Sequence, residues 1–127
     1  MRRWLFALVL LVHGGIHLMG FVDITGIGSV EGISGSPTFL LDRYAPGDPV
    51  LVAFGALWLV PFIGFAAAAI GLATRQAWWT SVAVVAAFVS LGLTLLWWSD
   101  ARYGVLVNLL VIGIVVALNA RRRAVTS

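Results

Sequence analysis

The stretch Ala77-Trp78-Trp79-Thr80-Ser81-Val82-Ala83-Val84-Val85-Ala86-Ala87-Phe88-Val89-Ser90-Leu91-Gly92-Leu93-Thr94-Leu95-Leu96-Trp97-Trp98 decides the fold. It holds no charge and is bounded by Arg75 on one side and Asp100 on the other. About 20 apolar residues are needed to cross the ~30 Å of bilayer hydrocarbon as a helix, and this run is long enough. β-branched residues crowd residues 82–89, yet a strand is excluded. Lipid offers no partner to backbone polar groups, so a lone spanning segment must be a helix. The alternation of a lipid-facing barrel strand is also missing. A tryptophan pair stands at each end of the run. Tryptophan favours the water–hydrocarbon boundary, so both pairs read as an aromatic belt that anchors this helix.

Three further runs have the same character, giving helices over about residues 4–22, 50–73, 77–98 and 103–120, none with Asp, Glu or Arg. The chain therefore reads as one transmembrane domain over residues 1–127, an all-α membrane protein built as a four-helix transmembrane bundle. Composition agrees. Apolar residues make up 61% and charged residues 10% of the 127 residues, against about 45–50% and 25% for soluble domains. There is no Cys, which removes disulfides, thiolate metal sites and thiol nucleophiles. All eight basic residues are Arg. With the abundance of Ala, Val and Gly, this points to a GC-rich bacterial genome and so to a bacterial inner (plasma) membrane.

Charge orients the bundle. Arg2 and Arg3, Arg75, and Arg121, Arg122 and Arg123 fall on one side of a four-span chain, with Arg43 and Arg102 on the other. The positive-inside rule then places both termini in the cytoplasm. The net charge of +3 does not point to nucleic acid, because the arginines sit at helix ends and form no stripe. The start, MRRWLFALVLLV, has the basic and apolar regions of a secretory signal. No small-x-small cleavage site follows it, so the segment is expected to be retained as the first span.

The connections are unequal. Thr74-Arg75-Gln76 joins the second and third spans and Ser99-Asp100-Ala101-Arg102 joins the third and fourth. The external loop over about residues 23–49 is long and rich in Gly, Ser and Asp. Ser36-Pro37-Thr38 suits a helix start, Phe39, Leu40 and Leu41 form an apolar patch, and Ala45-Pro46-Gly47-Asp48-Pro49 reads as a turn into the second span. A loop of this length is functional or disordered, and its apolar residues favour a packed lid. The chain shows no internal repeat.

Polar groups within a span are costly and are candidate sites by default. His13 and His17 in the first helix and Asn108 in the fourth stand out, while Ser90 and Thr94 in the third are cheaper because hydroxyls bond back to their own helix. At about 1.5 Å per residue, His17 lies roughly 9 Å inward of Asp23, His13 roughly 15 Å, Asn108 roughly 9 Å inward of Arg102, Thr94 roughly 9 Å inward of Asp100 and Trp58 roughly 12 Å inward of Val50. These residues share a layer in the outer half of the bundle. Pro61 is expected to kink the second span just below Trp58.

His13 and His17 are spaced i, i+4 and share a face. Three readings stay open for the pair. They are helix–helix glue, donating to a carbonyl or to Asn108, a polar ligand or proton site, or metal or haem ligands in the manner of helical His pairs. The metal reading lacks a third ligand, and two ligands on one side cannot be the opposite axial ligands of one haem. Gly14, Gly15 and Gly20 beside the pair permit close helix approach.

The string His13-Gly14-Gly15-Ile16-His17-Leu18-Met19-Gly20-Phe21 resembles the first helix of a group of uncharacterised bacterial four-helix membrane proteins. Gly55-Ala56-Leu57-Trp58-Leu59, Ser36-Pro37-Thr38 and the segment Trp98-Ser99-Asp100-Ala101-Arg102-Tyr103-Gly104-Val105-Leu106-Val107-Asn108 are similar to it as well. DoxX-like proteins share the size and topology only. The resemblance implies that His13, His17, Trp58, Asp100 and Asn108 form a pattern, and it implies no activity.

The expected function is therefore a membrane binding or accessory module. Its ligand would be a lipid, a quinone-like molecule or a partner membrane protein, recognised by His13, His17, Asn108, Asp100, Trp58 and Thr94. The alternative is an outer-face enzyme or redox subunit using His17 or His13 with Asp100, and a weaker one is an oligomeric transporter component. No catalytic residue and no cofactor is predicted, with haem, metal and quinone kept as minor alternatives. The expected partners are the lipid bilayer and a membrane protein or a second copy of the chain.

Overall fold

A computed structural model describes residues 2–32, 43–45 and 47–126. The helices are α1 (Arg2–Ile24), α2 (Pro49–Leu57), α3 (Leu59–Ala73), α4 (Trp79–Leu96) and α5 (Trp98–Thr126). Together they make four stretches long and apolar enough to cross a membrane: Arg3–Ile24, Pro49–Ala73, Trp79–Leu96 and Trp98–Arg121. The architecture is an all-α four-helix bundle of a multi-pass integral membrane protein.

The second span is two helices because of Pro61. Proline has no N–H to bond the Leu57 carbonyl four residues back, and its ring crowds that carbonyl. α2 accordingly stops at Leu57 and α3 begins at Leu59, with the Trp58 N–H turned to the Gly55 carbonyl at 3.0 Å. At the other end of α2, the Asp48 carboxylate accepts from the Val50 N–H at 2.8 Å and Pro49 occupies the first turn. This is the combination that satisfies or removes orphan helix donors. Of the turn read at residues 45–49, the described residues show Gly47 at φ +85° and the Asp48 N–H on the Ala45 carbonyl.

One connection differs from expectation. Ser99, Asp100, Ala101 and Arg102 are not a turn but the first turn of α5. Trp97 alone breaks the chain, accepting from the N–H groups of Asp100 and Ala101 at 3.1 and 2.8 Å. An acidic side chain suits a helix N-terminus, where the backbone dipoles are positive, so Asp100 fits there. α5 also runs on past residue 120 through the arginines, which are good helix formers. The aromatic belt is halved: Trp78 and Trp98 are exposed, but Trp79 and Trp97 are buried in the core. Hydropathy places a tryptophan near a boundary without saying which way its indole turns.

After α1 the chain folds back on itself. Gly26, at φ +73°, ends the helix, and the Val30 N–H donates to the Asp23 carboxylate at 2.9 Å. The proposed helix start at Ser36-Pro37-Thr38 and the patch at Phe39, Leu40 and Leu41 lie outside the described residues.

α1 packs along α3, α3 along α4 and α4 along α5. α1 and α5 are thus the two edges of the row, and side chains close the seam between them. Two apolar clusters fill the interior. One is centred on Phe65, Trp79, Ala83, Ala87 and Val111. The other, toward the end with the long connection, is centred on Ile24, Leu51, Trp58, Leu93 and Trp97. Leu5, Ile63, Val85, Phe88, Leu106 and Leu110 are exposed, the distribution a hydrocarbon solvent demands.

Candidate functional site

Between the two clusters lies a polar layer. His13 (5% exposed), His17 (2%), Ser90 (0%) and Asn108 (0%) are buried there. The i, i+4 spacing on α1 sets the two imidazoles 5.3 Å apart, centroid to centroid. The rings differ in their neighbours. His13 packs edge-on against Phe65 at 4.9 Å, and His17 lies 5.3 Å from Trp58.

Hydrogen bonds join these residues into one chain across three helices. His13 Nε2 donates to Asn108 Oδ1 at 2.9 Å, Asn108 Nδ2 donates to Ser90 Oγ at 2.7 Å, and Ser90 Oγ lies 2.9 Å from His17 Nε2. The order of the protons follows from the middle. Ser90 accepts from Asn108, so its own hydrogen is left to give. Thr94 and Thr80 spend theirs on the carbonyls of Leu91 and Ala77, but Ser90 makes no such bond among the described residues. Its hydroxyl therefore donates to His17 Nε2, and a neutral His17 carries its proton on Nδ1. Interhelical bonds in membranes are worth about 0.6 kcal/mol each and at most about 1.7. The three together clamp α1 to α4 and α5 with roughly 2–5 kcal/mol.

This clamp leaves a remainder. His17 Nδ1, Trp58 Nε1 and Trp97 Nε1 are buried with no hydrogen-bond partner among the described residues. An unmet buried donor costs about 1–3 kcal/mol, so three near one another need an explanation. All three residues line one cavity of about 220 Å³, together with His13, Thr94 and Asp100. The cavity lies in the seam between α1 and α5, which contribute Ile16 and Gly20 on one side and Tyr103, Gly104 and Val107 on the other. Ile16 and Tyr103 are exposed and mark its rim.

Glycine builds this wall. A Cβ on Gly20 would stand 2.5 Å from Cε3 of Trp58, so the indole lies against bare backbone. A Cβ on Gly104 would stand 2.8 Å from Cγ2 of Thr94. Trp58 and Trp97 meet edge to face at 5.6 Å. Gly15, by contrast, faces nothing within 4 Å and makes no close approach.

His13, His17, Trp58, Thr94 and Asp100 all line the cavity, and Asn108 sits behind it as the link between His13 and Ser90. Ser90 and Trp97 are two members that sequence reasoning passed over. Ser90 read as a hydroxyl satisfied by its own helix, and Trp97 read as an interfacial anchor. For Trp97 the sequence carried no signal, because hydropathy does not say which way an indole turns. For Ser90 there was none short of the packing. No group of three or more His, Cys, Asp or Glu side chains is arranged to hold a metal among the described residues. Both histidine Nε2 atoms are engaged in hydrogen bonds. Comparison of the chain with protein-family models, curated proteins and solved structures finds no match.

Proposed function

We propose that this chain is a binding or accessory protein of a bacterial plasma membrane, with both termini cytoplasmic and a ligand site in the outer half of the bundle. The Arg distribution supports the orientation. The exclusive use of Arg and the resemblance to bacterial four-helix proteins support the membrane. The observation that carries the function is the cavity between α1 and α5. At about 220 Å³ it exceeds an engineered cavity of about 150 Å³ that takes up benzene. Its rim of Ile16 and Tyr103 would face lipid, so the ligand is a lipid-soluble molecule that enters sideways through the seam: a lipid or a quinone-like compound, with a partner membrane protein contributing to the same seam.

The alternative, an outer-face enzyme or redox subunit using His17 with Asp100, has the two residues on one cavity wall in its favour. It is the lesser reading because catalysis needs a converging acid, base or nucleophile, and only histidine supplies one at that depth.

Two experiments test the proposal. The chain has no Cys, so single-cysteine variants report topology cleanly. Ser29→Cys should react with an impermeant maleimide in intact cells and Thr74→Cys only after lysis, and the reverse pattern refutes the orientation. Native mass spectrometry of purified protein should show a bound small molecule that Val107→Phe, which fills the cavity, loses. The same adduct on both proteins removes the cavity as its site.

A further inference from the structure

We infer that the end of the bundle opposite the long connection binds the head group of an anionic phospholipid, at a pocket shared by Arg3 and Arg75. This site is separate from the cavity of the α1–α5 seam and does not rest on the reading given to that cavity.

The turn between α3 and α4 fixes Arg75. The Gln76 N–H donates to the Gly71 carbonyl at 2.8 Å and the Arg75 N–H to the Leu72 carbonyl at 3.3 Å. This pair of bonds is a Schellman cap, whose central residue must be left-handed and is usually glycine. Arg75 holds that position at φ +62°, the one non-glycine residue with positive φ among the described residues. A side chain there carries backbone strain that glycine would avoid. The guanidinium is not needed to finish the helix. The cap takes the Gly71 and Leu72 carbonyls, and Thr74 takes that of Ile70 with its N–H and its hydroxyl.

Arg75 and Gln76 line a pocket of about 350 Å³ together with Arg3 from the first turn of α1, and Leu72, Ala77 and Trp79 supply its apolar part. Arg3 is half-buried, with its guanidinium carbon 5.1 Å from the centre of the Trp4 ring. A contact of that kind uses the flat face of the guanidinium and leaves its N–H edge to donate. Among the described residues no carboxylate answers the two charges. Asp23 ends α1, Glu31 follows it, Asp48 precedes α2 and Asp100 opens α5, all at the other end of the bundle. Paired N–H donors of arginine match the oxygens of a phosphate, and basic pockets between membrane helices are where phosphate head groups bind.

A phospholipid is the phosphate source that the surroundings suit. Trp4 and Trp78 are exposed beside the pocket, as tryptophans at a head-group boundary are. An apolar groove of about 290 Å³ lies between the same two helices, from Trp4 to Leu11 on α1 and from Ala73 to Ala69 on α3. It begins at the residues next to Arg3 and Leu72 and has room for an acyl chain. An ethanolamine head would bring an ammonium group to a place with no acid, so a head of net negative charge, such as phosphatidylglycerol, is selected.

The test uses the full chain in dodecyl maltoside with added lipid, read by native mass spectrometry. Dioleoyl phosphatidylglycerol should bind about five- to tenfold tighter than dioleoyl phosphatidylethanolamine, the worth of one basic contact near a head group. Arg3→Gln and Arg75→Gln should each remove about that factor. Arg121→Gln at the same end and Arg102→Gln at the other, both outside the pocket, should leave the affinity nearly unchanged. Arg75→Gly separates binding from folding. Glycine suits the left-handed position, so the thermal midpoint should hold or rise while phosphatidylglycerol binding falls. Equal binding of the two lipids, full binding by Arg75→Gly, or a loss in Arg121→Gln as large as in Arg3→Gln, which would mean a diffuse basic surface, overturns the inference. Displacement of the lipid by inorganic phosphate at equal concentration would assign the pocket to a soluble anion and overturn it as well.

Discussion

Replacing Ser90 with alanine tests whether the polar layer is a connected clamp. The substitution removes one oxygen from a fully buried position and leaves helix propensity and shape nearly unchanged. It breaks two bonds at once, the 2.7 Å bond from Asn108 and the 2.9 Å bond to His17. At about 0.6 kcal/mol for an average interhelical bond in a membrane and about 1.7 for the strongest, the loss is about 1–3 kcal/mol. The larger figure applies if Asn108 Nδ2 and His17 Nε2 find no substitute in the folded state. Thr94→Val is the control, because the Thr94 hydroxyl donates to the Leu91 carbonyl of its own helix and valine keeps the methyl group beside Gly104. It should stay within about 0.5 kcal/mol of wild type. Reversible unfolding in mixed micelles, followed by tryptophan fluorescence and by helical circular dichroism, measures both. A double-mutant cycle of Ser90→Ala with His17→Leu should return a coupling of about 0.6–1.7 kcal/mol. A Ser90→Ala cost below about 0.3 kcal/mol, or a cycle that sums to zero, would refute the connected clamp and leave four polar side chains that merely sit near one another.

Three further outcomes follow from the packing. Gly20→Ala places a Cβ against the Trp58 indole and should cost about 1–3 kcal/mol through overpacking, with a shift in Trp58 emission. Gly15→Ala, with nothing within 4 Å, should be neutral or gain up to about 1 kcal/mol from helix propensity; equal losses at the two sites would contradict the assigned contacts. Trp97→Ala should destabilise the bundle by about 3–5 kcal/mol, whereas Trp98→Ala should change stability by about 0.5 kcal/mol or less, and a reversal in the same unfolding assay would mean the two indoles were exchanged between core and boundary. Pro61→Ala restores a donor to the Leu57 carbonyl, so the break at Trp58 should lessen; spin labels on Val52→Cys and Ile70→Cys, read by pulsed electron resonance, should move apart, and an unchanged separation would assign the break to tertiary packing instead of proline.

How far the sequence reached differs from residue to residue. Four uncharged runs, the demand that lipid places on backbone groups, and the i, i+4 spacing of His13 and His17 are local properties, and local properties survive folding. Pro61 is local too and acts where it was read, while residues 45–49 were read only as a turn and Asp48 and Pro49 also start α2. The boundary near Asp100 was misread because a charged tetrapeptide resembles a loop. The folded chain instead turns at Trp97, whose indole finds more contact inside the bundle than at its surface.

What the sequence determined by itself is therefore the solvent and the architecture. Lipid leaves a chain with these runs no choice but helices, and four of them make a bundle with its strongly polar residues deep on the first and last spans. Only tertiary structure decided what those residues do. Hydropathy cannot say which face of α4 turns inward, so it could not show Ser90 standing between Asn108 and His17. Nor could it show that the edges of the row, α1 and α5, meet through side chains and leave a cavity in the seam. The three unspent N–H donors exist only because Trp58, Trp97 and His17, up to eighty residues apart in sequence, are packed against one wall.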